Sequence, residues 1–418
     1  MQGMRRACVG AAFGLLLTVA TAGGEDVGAG GCTATAGPAA IQETIDAARS
    51  GAVICMEAGV YRGPIVVYGK SGVTVRGAGV QRTIVAGGNR DGVVVLNSAD
   101  VTIEGMKLFM GSPANAYVGN SRNVSFRGID AGAGNIGVHF DDRSSGMVAD
   151  SFLYAMRGDG VLVRRGSALN VERNWIFDNL GVGVSTVGGD GTTTVVRNII
   201  SNNRGAGVFA GQPPCAPLIP ASVDAPPCFM ANLHGYISGA SVTLDSNIVQ
   251  SSGSTGIVMF PGTRLTMRGN HVWANHLSGL FAWGATVASD GDEYAFNDEN
   301  AIELRAYPDP RYTGAGFPLR TIGTLNRNDI HDSLVLPQTG TLGGGVVAHG
   351  ADLAVTNSRV YRNHSIALAY LNGSYGRVEY NEIFENGGSA LCTLGAGPVT
   401  EFGNRIHRNA SDVVGVCR

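Results

Sequence analysis

Lysine is almost absent from this chain of 418 residues, because Lys70 and Lys107 are its only two lysines. This scarcity nearly excludes lysine chemistry such as Schiff-base formation. Beyond the N-terminal region, no segment is apolar for long enough to cross a membrane as a helix. A formal net charge of −3 gives no overall attraction to nucleic acid. The sequence therefore predicts a protein with neither a nucleic-acid partner nor a transmembrane segment.

The N-terminus has the pattern of a secretory signal peptide. Arg5 and Arg6 precede an apolar run from Val9 to Ala20, which ends in the small-residue site Ala20-Thr21-Ala22. We expect residues 1–22 to be removed and the mature protein to be secreted or periplasmic. Cleavage would remove two arginines and no acidic residue, so the mature chain would be more acidic than the full one.

Cysteine is also scarce, and six of the seven cysteines would remain after cleavage. The sequence has no Cys-x-x-Cys motif and no His-rich cluster that would indicate a zinc site. In an oxidising compartment, cysteines that are close in sequence favour local disulfides. The expected pairs are Cys32 with Cys55, Cys215 with Cys228, and Cys392 with Cys417.

A repeat with a period of 22–24 residues runs along most of the chain. A polar residue, most often asparagine, marks one turn of the repeat, and a second asparagine series follows five residues later. A small residue then opens a short apolar strand. This pattern predicts an all-β fold, a right-handed parallel β-helix of about 11–13 coils with a short N-terminal capping helix over residues 38–49. We interpret the asparagines as stacked ladders within turns and not as ligands. The first series comprises Met106, Ile129, Ser151, Asn174, Asn198, Asn247, Asn270, Asn328, Ser358, Asn381 and Asn404, and the second Asn179, Asn203, Asn275, Asn363, Asn386 and Asn409.

The repeat also predicts the organisation of the chain. After the signal peptide (1–22), we expect an N-terminal cap with the first coils (23–100) and then regular coils (101–418), with insertions near 211–240 and 285–320. The second insertion begins with Asp290, Asp292, Glu293, Asp298 and Glu299. These acids could hold Ca²⁺ through oxygen ligands, but the run has no complete calcium-loop pattern. We therefore favour a solvated loop.

Outward positions of successive coils lie about 4.8 Å apart, so residues distant in sequence form one surface. The strand after the small residue combines a polar end with an aromatic end on this surface. Only 7% of the residues are aromatic, so several aromatic rings on one surface are unusual, because they leave apolar area in water. Flat rings suit the apolar faces of sugars, which indicates a sugar-binding surface. The polar end comprises Tyr117, His139, Asp141 and Arg164, with Asp142, Arg143 and Arg165 beside it. The aromatic end comprises Phe209, Phe260, Phe281 and Trp283, with His349 beyond it.

The polar end matches the groups needed to abstract a proton beside a carboxylate. A cation must neutralise the carboxylate, a base must remove the proton, and an acid must return one or protonate the leaving oxygen. Arg164 or Arg165 would be the cation, and His139 and Tyr117 the base and the acid. Asp141 would orient His139, or hold it charged by raising its pKa. The structural alternative is a surface ion pair between Asp141 and Arg164, with His139 solvated.

The repeats resemble the pectate lyase-like superfamily of bacterial β-helix proteins over almost the whole mature chain. The likeness begins at Ile41-Gln42 and Ile45-Asp46 and continues through Gly59-Val60-Tyr61-Arg62-Gly63 and Gly72-Val73-Thr74-Val75-Arg76-Gly77. From Gly137 to about Gly211 the chain is most similar to mannuronan C5-epimerases, which carry Tyr-Gly-Phe-Asp-Pro-His and then an acid. The segment here is Ile136-Gly137-Val138-His139-Phe140-Asp141-Asp142, so His139 and Asp141 stand where that motif has its Asp and His.

The resemblance and the polar cluster together favour an enzyme that acts on an acidic polysaccharide by C5 proton abstraction, as a lyase or an epimerase. The alternative is a non-catalytic glycan-binding or cell-envelope scaffold protein that uses the same groove. A weaker alternative is a periplasmic partner in cofactor or polymer maturation. We expect the protein to be a monomer. The sequence indicates no cofactor other than the Ca²⁺ considered above.

Overall fold

The computed structural model describes residues 31–212, 239–307, 319–334, 343–413 and 415. The chain divides into two units, Met1–Gly31 and Cys32–Arg418, and the following description concerns the second. The predicted signal peptide (1–22), Cys215, Cys228 and Cys417 lie outside the described residues, as do the predicted insertion's residues 213–238.

Three parallel sheets make up the second unit, and each coil passes through the first, second and third sheet in turn. Within the described residues the first sheet has 15 strands, namely Ala34–Ala36, Val53–Met56, Thr74–Arg76, Ala99–Glu104, Arg122–Arg127, Ser145–Ala149, Ala168–Glu172, Thr192–Val196, Ser241–Asp245, Arg264–Arg268, Thr286–Asp290, Ile322–Asn326, Asp352–Thr356, Tyr375–Glu379 and Val399–Phe402. The second sheet has 14, namely Gly59–Arg62, Thr83–Ala86, Lys107–Phe109, Asp130–Gly132, Phe152–Tyr154, Trp175–Phe177, Ile199–Ser201, Ile248–Gln250, His271–Trp273, Glu293–Ala295, Asp329–His331, Arg359–Tyr361, Glu382–Phe384 and Arg405–His407. The third sheet has 13, namely Ile65–Tyr68, Val93–Leu96, Ala114–Gly119, Ile136–Asp141, Val161–Arg164, Val184–Val187, Val208–Ala210, Ile257–Met259, Leu280–Trp283, Ile302–Arg305, Val346–His349, Leu368–Leu371 and Leu391–Leu394.

The predicted parallel β-helix is therefore confirmed, with about 14 turns in the described residues. Alternate residues of each strand point into one continuous apolar core, as Val138, Phe140, Val161 and Val163 show. The predicted N-terminal helix is present as Ile41–Ala47. Its Ile41 and Ile45 are buried in the core. No helix among the described residues is long and apolar enough to span a membrane.

The asparagines form hydrogen-bonded ladders inside two turns of the coil, as the sequence predicts. In the first turn, the Asn198 Nδ2 amide donates to Asn247 Oδ1 at 3.1 Å, and Asn247 Nδ2 donates to Asn270 Oδ1 at 2.9 Å. The same side chains also bond backbone groups of the neighbouring coils. In the second turn, Asn179 Nδ2 donates to Asn203 Oδ1 at 2.8 Å. Since these groups are buried, each ladder satisfies turn backbone that water cannot reach.

The predicted insertion at 285–320 is wrong over most of its length. Residues 286–305 contain one strand of each sheet, so they form an ordinary coil. Asp292 occupies the ladder position, accepting from Asn270 Nδ2 at 2.8 Å and donating its backbone N–H to Asn328 Oδ1 at 2.8 Å. The sequence analysis missed this coil because an aspartate stands where the ladder usually has an asparagine. Of the predicted insertion, residues 308–318 lie outside the described residues.

The cysteines bear out part of the disulfide prediction. Cys32, just before the first strand of the first sheet, forms a disulfide with Cys55 in the second strand. Cys392 is also disulfide-bonded. The pairings of Cys392 with Cys417 and of Cys215 with Cys228 stay predictions.

We expect Asp292→Asn to raise the melting temperature at pH 7. Burial raises the pKa of Asp292, against hydrogen bonds from Ser289 and Asn270, so the folded chain binds this proton more tightly than the unfolded chain does. The protonated Asp292 carboxyl therefore contributes its full stabilisation below the pKa that it has in the unfolded chain. This contribution is lost as the pH rises through the pKa that it has in the folded chain. An amide carries no charge, and its Nδ2 can donate to Asn328 as other ladder asparagines do.

Thermal unfolding at pH 7 and at pH 3 tests this expectation, and the gain should shrink at the lower pH. Asn270→Asp is the matched control in the same ladder and should lower the melting temperature at pH 7. A lower melting temperature for Asp292→Asn at pH 7 would show that the ladder requires the carboxylate.

Candidate active site on the third sheet

Two outward columns of the third sheet form what we call the candidate face. Strand register aligns the first column as Tyr117, His139, Leu162, Ser185, Phe209, Val258, Phe281, Glu303 and Val347. The second column includes Gly119, Asp141, Arg164, Val187, Phe260, Trp283, Arg305 and His349. The repeat in the sequence predicts this alignment, but the prediction leaves out Glu303 and Arg305, which belong to the coil at residues 286–305.

His139 lies in the polar end of this face and is only 7% exposed. Its Nε2 atom is buried and has no hydrogen-bond partner among the described residues. The nearest acidic group, the Asp141 Oδ2 oxygen, is 3.7 Å away. The expectation of a solvated His139 under the structural alternative is therefore wrong. A buried nitrogen without a partner is costly unless a ligand satisfies it.

Burial lowers the pKa of His139 to about 4, with Arg164 and Arg165 adding to the effect and Asp141 opposing it. The expectation that Asp141 holds His139 in its charged form is thus wrong. Desolvation of the ring outweighs the attraction of the carboxylate. At neutral pH, His139 is a neutral imidazole and is able to accept a proton.

Tyr117 and Arg165 lie on opposite sides of His139 and Asp141. The Tyr117 ring meets the His139 ring edge to face, with centroids 5.2 Å apart. Burial, followed by the charges of Asp141 and Asp142, raises the pKa of Tyr117, so its phenol stays protonated. This phenol is therefore a proton donor next to the imidazole.

Arg165 makes an ion pair with Asp141. The Arg165 Nε atom lies 3.5 Å from Asp141 Oδ1, and its Nη1 atom lies 2.7 Å from Asp142 Oδ1. The Arg165 side chain is 57% exposed, so part of the guanidinium remains open to a ligand. Arg143 is exposed in the same turn, where its backbone N–H donates to the Arg165 carbonyl at 3.1 Å. Arg164 is half-buried on the candidate face.

Asp159 is a further titratable group beside the face that the sequence analysis did not identify. Its Oδ1 oxygen accepts the Val182 N–H at 2.8 Å, and its carboxylate also bonds the hydroxyl of Ser185 in the first column. Burial raises the pKa of Asp159 to about 6 in spite of these bonds. An aspartate in a turn gives no sequence signal of burial, so only the structure could identify it.

The aromatic end is a chain of ring contacts along four coils. Phe209 contacts Phe260, whose ring lies 6.2 Å from Trp283, and Trp283 contacts Tyr307 with centroids 4.8 Å apart. Phe209 is buried, with 6% exposure, so the prediction that it is a surface ring is wrong. Phe260, Phe281 and Trp283 are half-buried. The rings open to a ligand are therefore these three.

A second polar cluster follows directly on the aromatic rings. Glu303 is buried and accepts hydrogen bonds from Asn300 Nδ2 at 3.2 Å and Ser278 Oγ at 3.5 Å. Its carboxylate is also paired with Arg305, whose guanidinium lies 5.6 Å from the centroid of the Phe281 ring. His349 is the next residue of the column after Arg305.

The acidic residues considered for Ca²⁺ do not converge. Asp290 pairs with Arg327, Glu293 bonds His271 and His331, and Asp298 contacts His276 at 3.1 Å. No group of three or more His, Cys, Asp or Glu side chains in the described part of the chain is arranged to hold a metal ion.

Comparison with known proteins agrees with this architecture. A family profile described as a right-handed β-helix region matches residues 64–212. Curated protein sequences give no match. Among solved structures, the A-module of mannuronan C-5 epimerase AlgE6 from Azotobacter vinelandii is 15% identical with a TM-score of 0.56, over 90% of this chain and 96% of that one.

Two further solved structures share the fold. The AlgE4 A-module of the same organism is 15% identical with a TM-score of 0.52, again over 90% of this chain and 96% of that one. The catalytic unit of a GH87 α-1,3-glucanase from Streptomyces thermodiastaticus is 14% identical with a TM-score of 0.51, over 90% of this chain and 67% of that one. The chain is thus a right-handed parallel β-helix protein. These three structures are those of carbohydrate-active enzymes.

Proposed function

We propose that this protein acts on a uronate-containing polysaccharide by abstracting the C5 proton, as a lyase or an epimerase. One observation carries the proposal, namely the buried Nε2 atom of His139, which has no partner among the described residues. A neutral imidazole with no partner at Nε2 is able to act as a general base once a substrate reaches that atom. Folding does not explain it, because burying a nitrogen without a partner destabilises the native state.

The surrounding groups would perform the other steps of the reaction. The open part of the Arg165 guanidinium would bind the uronate carboxylate and stabilise the negative charge that develops when C5 loses its proton. His139 would take that proton. The Tyr117 phenol would return a proton to C5 in an epimerase, or protonate the departing glycosidic oxygen in a lyase. Asp141 would balance the imidazolium that forms.

The resemblance to mannuronan C-5 epimerase A-modules supports the proposal at the level of the fold. The Cys32–Cys55 disulfide supports a secreted or periplasmic location, since disulfides persist in oxidising compartments. The candidate face suits a polymer, because each coil adds one outward position to each of its two columns and the face therefore extends along the third sheet.

A non-catalytic glycan-binding role is the second candidate. It is favoured by the ion pairs of Arg165, because Asp141 and Asp142 already balance its charge. A binding protein, however, has no need of a buried imidazole whose Nε2 atom makes no hydrogen bond. The two roles therefore differ in whether His139 matters for turnover or only for affinity.

Purified protein incubated with alginate, polygalacturonate and glycosaminoglycans tests the proposal. A lyase gives unsaturated products that absorb in the ultraviolet, and an epimerase gives changed sugar ratios and exchange of the C5 proton with deuterium from solvent. If polymers bind without either change, the enzymatic proposal fails and the binding role stands.

We expect the His139 imidazole to titrate near pH 4 in the free protein, because its burial opposes protonation. NMR of histidine-labelled protein measures this value directly, with His139→Gln used to assign the signal. Turnover by the wild-type protein should accordingly be lost as the pH falls through about 4, since His139 is then protonated. A titration midpoint at or above 6.5 would contradict the assignment of His139 as a neutral base.

A further inference from the structure

We infer that Arg305 and His349, together with the rings of Phe281 and Trp283, form a second carboxylate-binding subsite on the candidate face. The inference rests on the proposed function, because it names a uronate residue of the same polymer as the ligand. It adds a site that lies six coils from His139 in the strand register, about 29 Å at 4.8 Å per coil.

Glu303 fixes the position of the arginine. Its buried carboxylate accepts from Asn300 and Ser278 and pairs with the Nε and Nη2 side of Arg305. The guanidinium is further held over the ring of Phe281. Because both contacts restrain the side chain, little conformational freedom remains to be lost when a ligand binds.

The groups left to a ligand are hydrogen-bond donors. The Arg305 side chain is 46% exposed, and it contacts Glu303 through Nε and Nη2, which leaves Nη1 available. His349 Nδ1 lies 3.3 Å from Asn372 Nδ2, and since the amide donates, the imidazole proton is on Nε2. Burial and the charge of Arg305 lower the pKa of His349, so this ring is neutral.

Two such donors in adjacent strands suit a group that only accepts hydrogen bonds, and a carboxylate is such a group. Glu303 is an acceptor, but it is buried and already bonded. Trp283 precedes Arg305 in the same column, and its Nε1 atom is bonded to the Ala306 carbonyl at 2.8 Å, which fixes the ring plane. A sugar ring on Trp283 would place its carboxylate at Arg305 and His349.

The subsite predicts that affinity depends on chain length. A short uronate oligomer would occupy only the centre at His139, whereas an oligomer long enough to span the six coils would reach both. We expect Arg305→Gln to weaken the binding of long oligomers about tenfold and to leave that of short ones unchanged. Arg264→Gln is the matched control, because Arg264 is exposed on the first sheet and its loss removes the same charge.

A second variant separates charge from shape. Glu303→Gln keeps an oxygen that can accept from Arg305, so the arginine stays in position, but it removes the counter-charge. This variant should therefore strengthen the binding of long uronate oligomers, while carboxyl-reduced oligomers of the same length should be unaffected. Thermal unfolding of each variant shows that the fold is intact, which matters because Glu303 is buried.

Calorimetric titration of the full chain with size-fractionated uronate oligomers gives these affinities without requiring turnover. Equal affinity of wild type and Arg305→Gln for long oligomers overturns the subsite, even if the enzyme converts its polymer. An equal loss for carboxyl-reduced oligomers also overturns it, because the ligand group is then a hydroxyl. If Arg305→Gln weakens binding but the wild type converts no uronate, the subsite stands and the proposed reaction fails. No binding of any uronate oligomer by the wild type refutes both.

Discussion

Asn247→Ala is expected to lower the free energy of unfolding by about 2–6 kcal/mol, since two buried backbone groups lose their partners at about 1–3 kcal/mol each. Asn247 Oδ1 accepts the Asn198 backbone N–H at 2.9 Å, and Asn247 Nδ2 donates to the Val195 carbonyl at 2.7 Å. The Asn198 N–H lies in the turn between the first and second sheets, and the Val195 carbonyl lies in the strand that precedes this turn. Both bonds are buried, so water cannot replace the lost amide. Chemical denaturation at pH 7 measures the loss.

Two further variants make this result specific to the ladder. Asn170→Ala removes an exposed amide from the first sheet and should cost little. Asn247→Ser should lose less than the alanine variant, because serine occurs naturally in the ladder at Ser151, whose Oγ accepts the Ile129 N–H at 3.1 Å. Similar unfolding of Asn247→Ala and Asn170→Ala would mean that the ladder contributes little to stability.

The ladder also explains why most of the fold follows from the sequence. An asparagine that bonds its counterparts in both neighbouring coils must recur once per coil, so its spacing reports the coil length. The same logic failed at Asp292, because a carboxylate accepts the same bonds as the asparagine oxygen and so replaces it. Asp292 follows Asn270 by 22 residues, so the period was present in the sequence under a different residue.

The candidate site is less predictable than the fold. Strand alternation places His139, Asp141 and Trp283 on one face, and the structure agrees. Alternation gives only the direction of a side chain, whereas its burial depends on the neighbours above and below it. For this reason the sequence did not reveal that His139 and Phe209 are covered.

The largest expected effect on function is that of His139. If His139 is the base, His139→Ala should lower kcat on the uronate polymer by about 10²–10⁴-fold, the usual contribution of general acid–base catalysis. Binding of the polymer should change little, because the half-buried rings of Phe281 and Trp283 are still present. His364→Ala, at an exposed histidine, is the control and should leave kcat unchanged.

His139→Leu distinguishes a catalytic from a structural histidine most sharply. The next residue of the column is Leu162, so a leucine side chain already fits the adjacent coil. A structural histidine would lose interactions on this substitution, and the melting temperature would fall. A histidine whose Nε2 atom is buried without a partner destabilises the fold, and leucine removes that cost. We therefore expect His139→Leu to melt at or above the wild-type temperature while its turnover is abolished. Such opposite changes are typical of a residue retained for its chemistry at the expense of stability. A marked fall in melting temperature with turnover intact would assign His139 to the packing of the sheet and move the search for the base to Asp159.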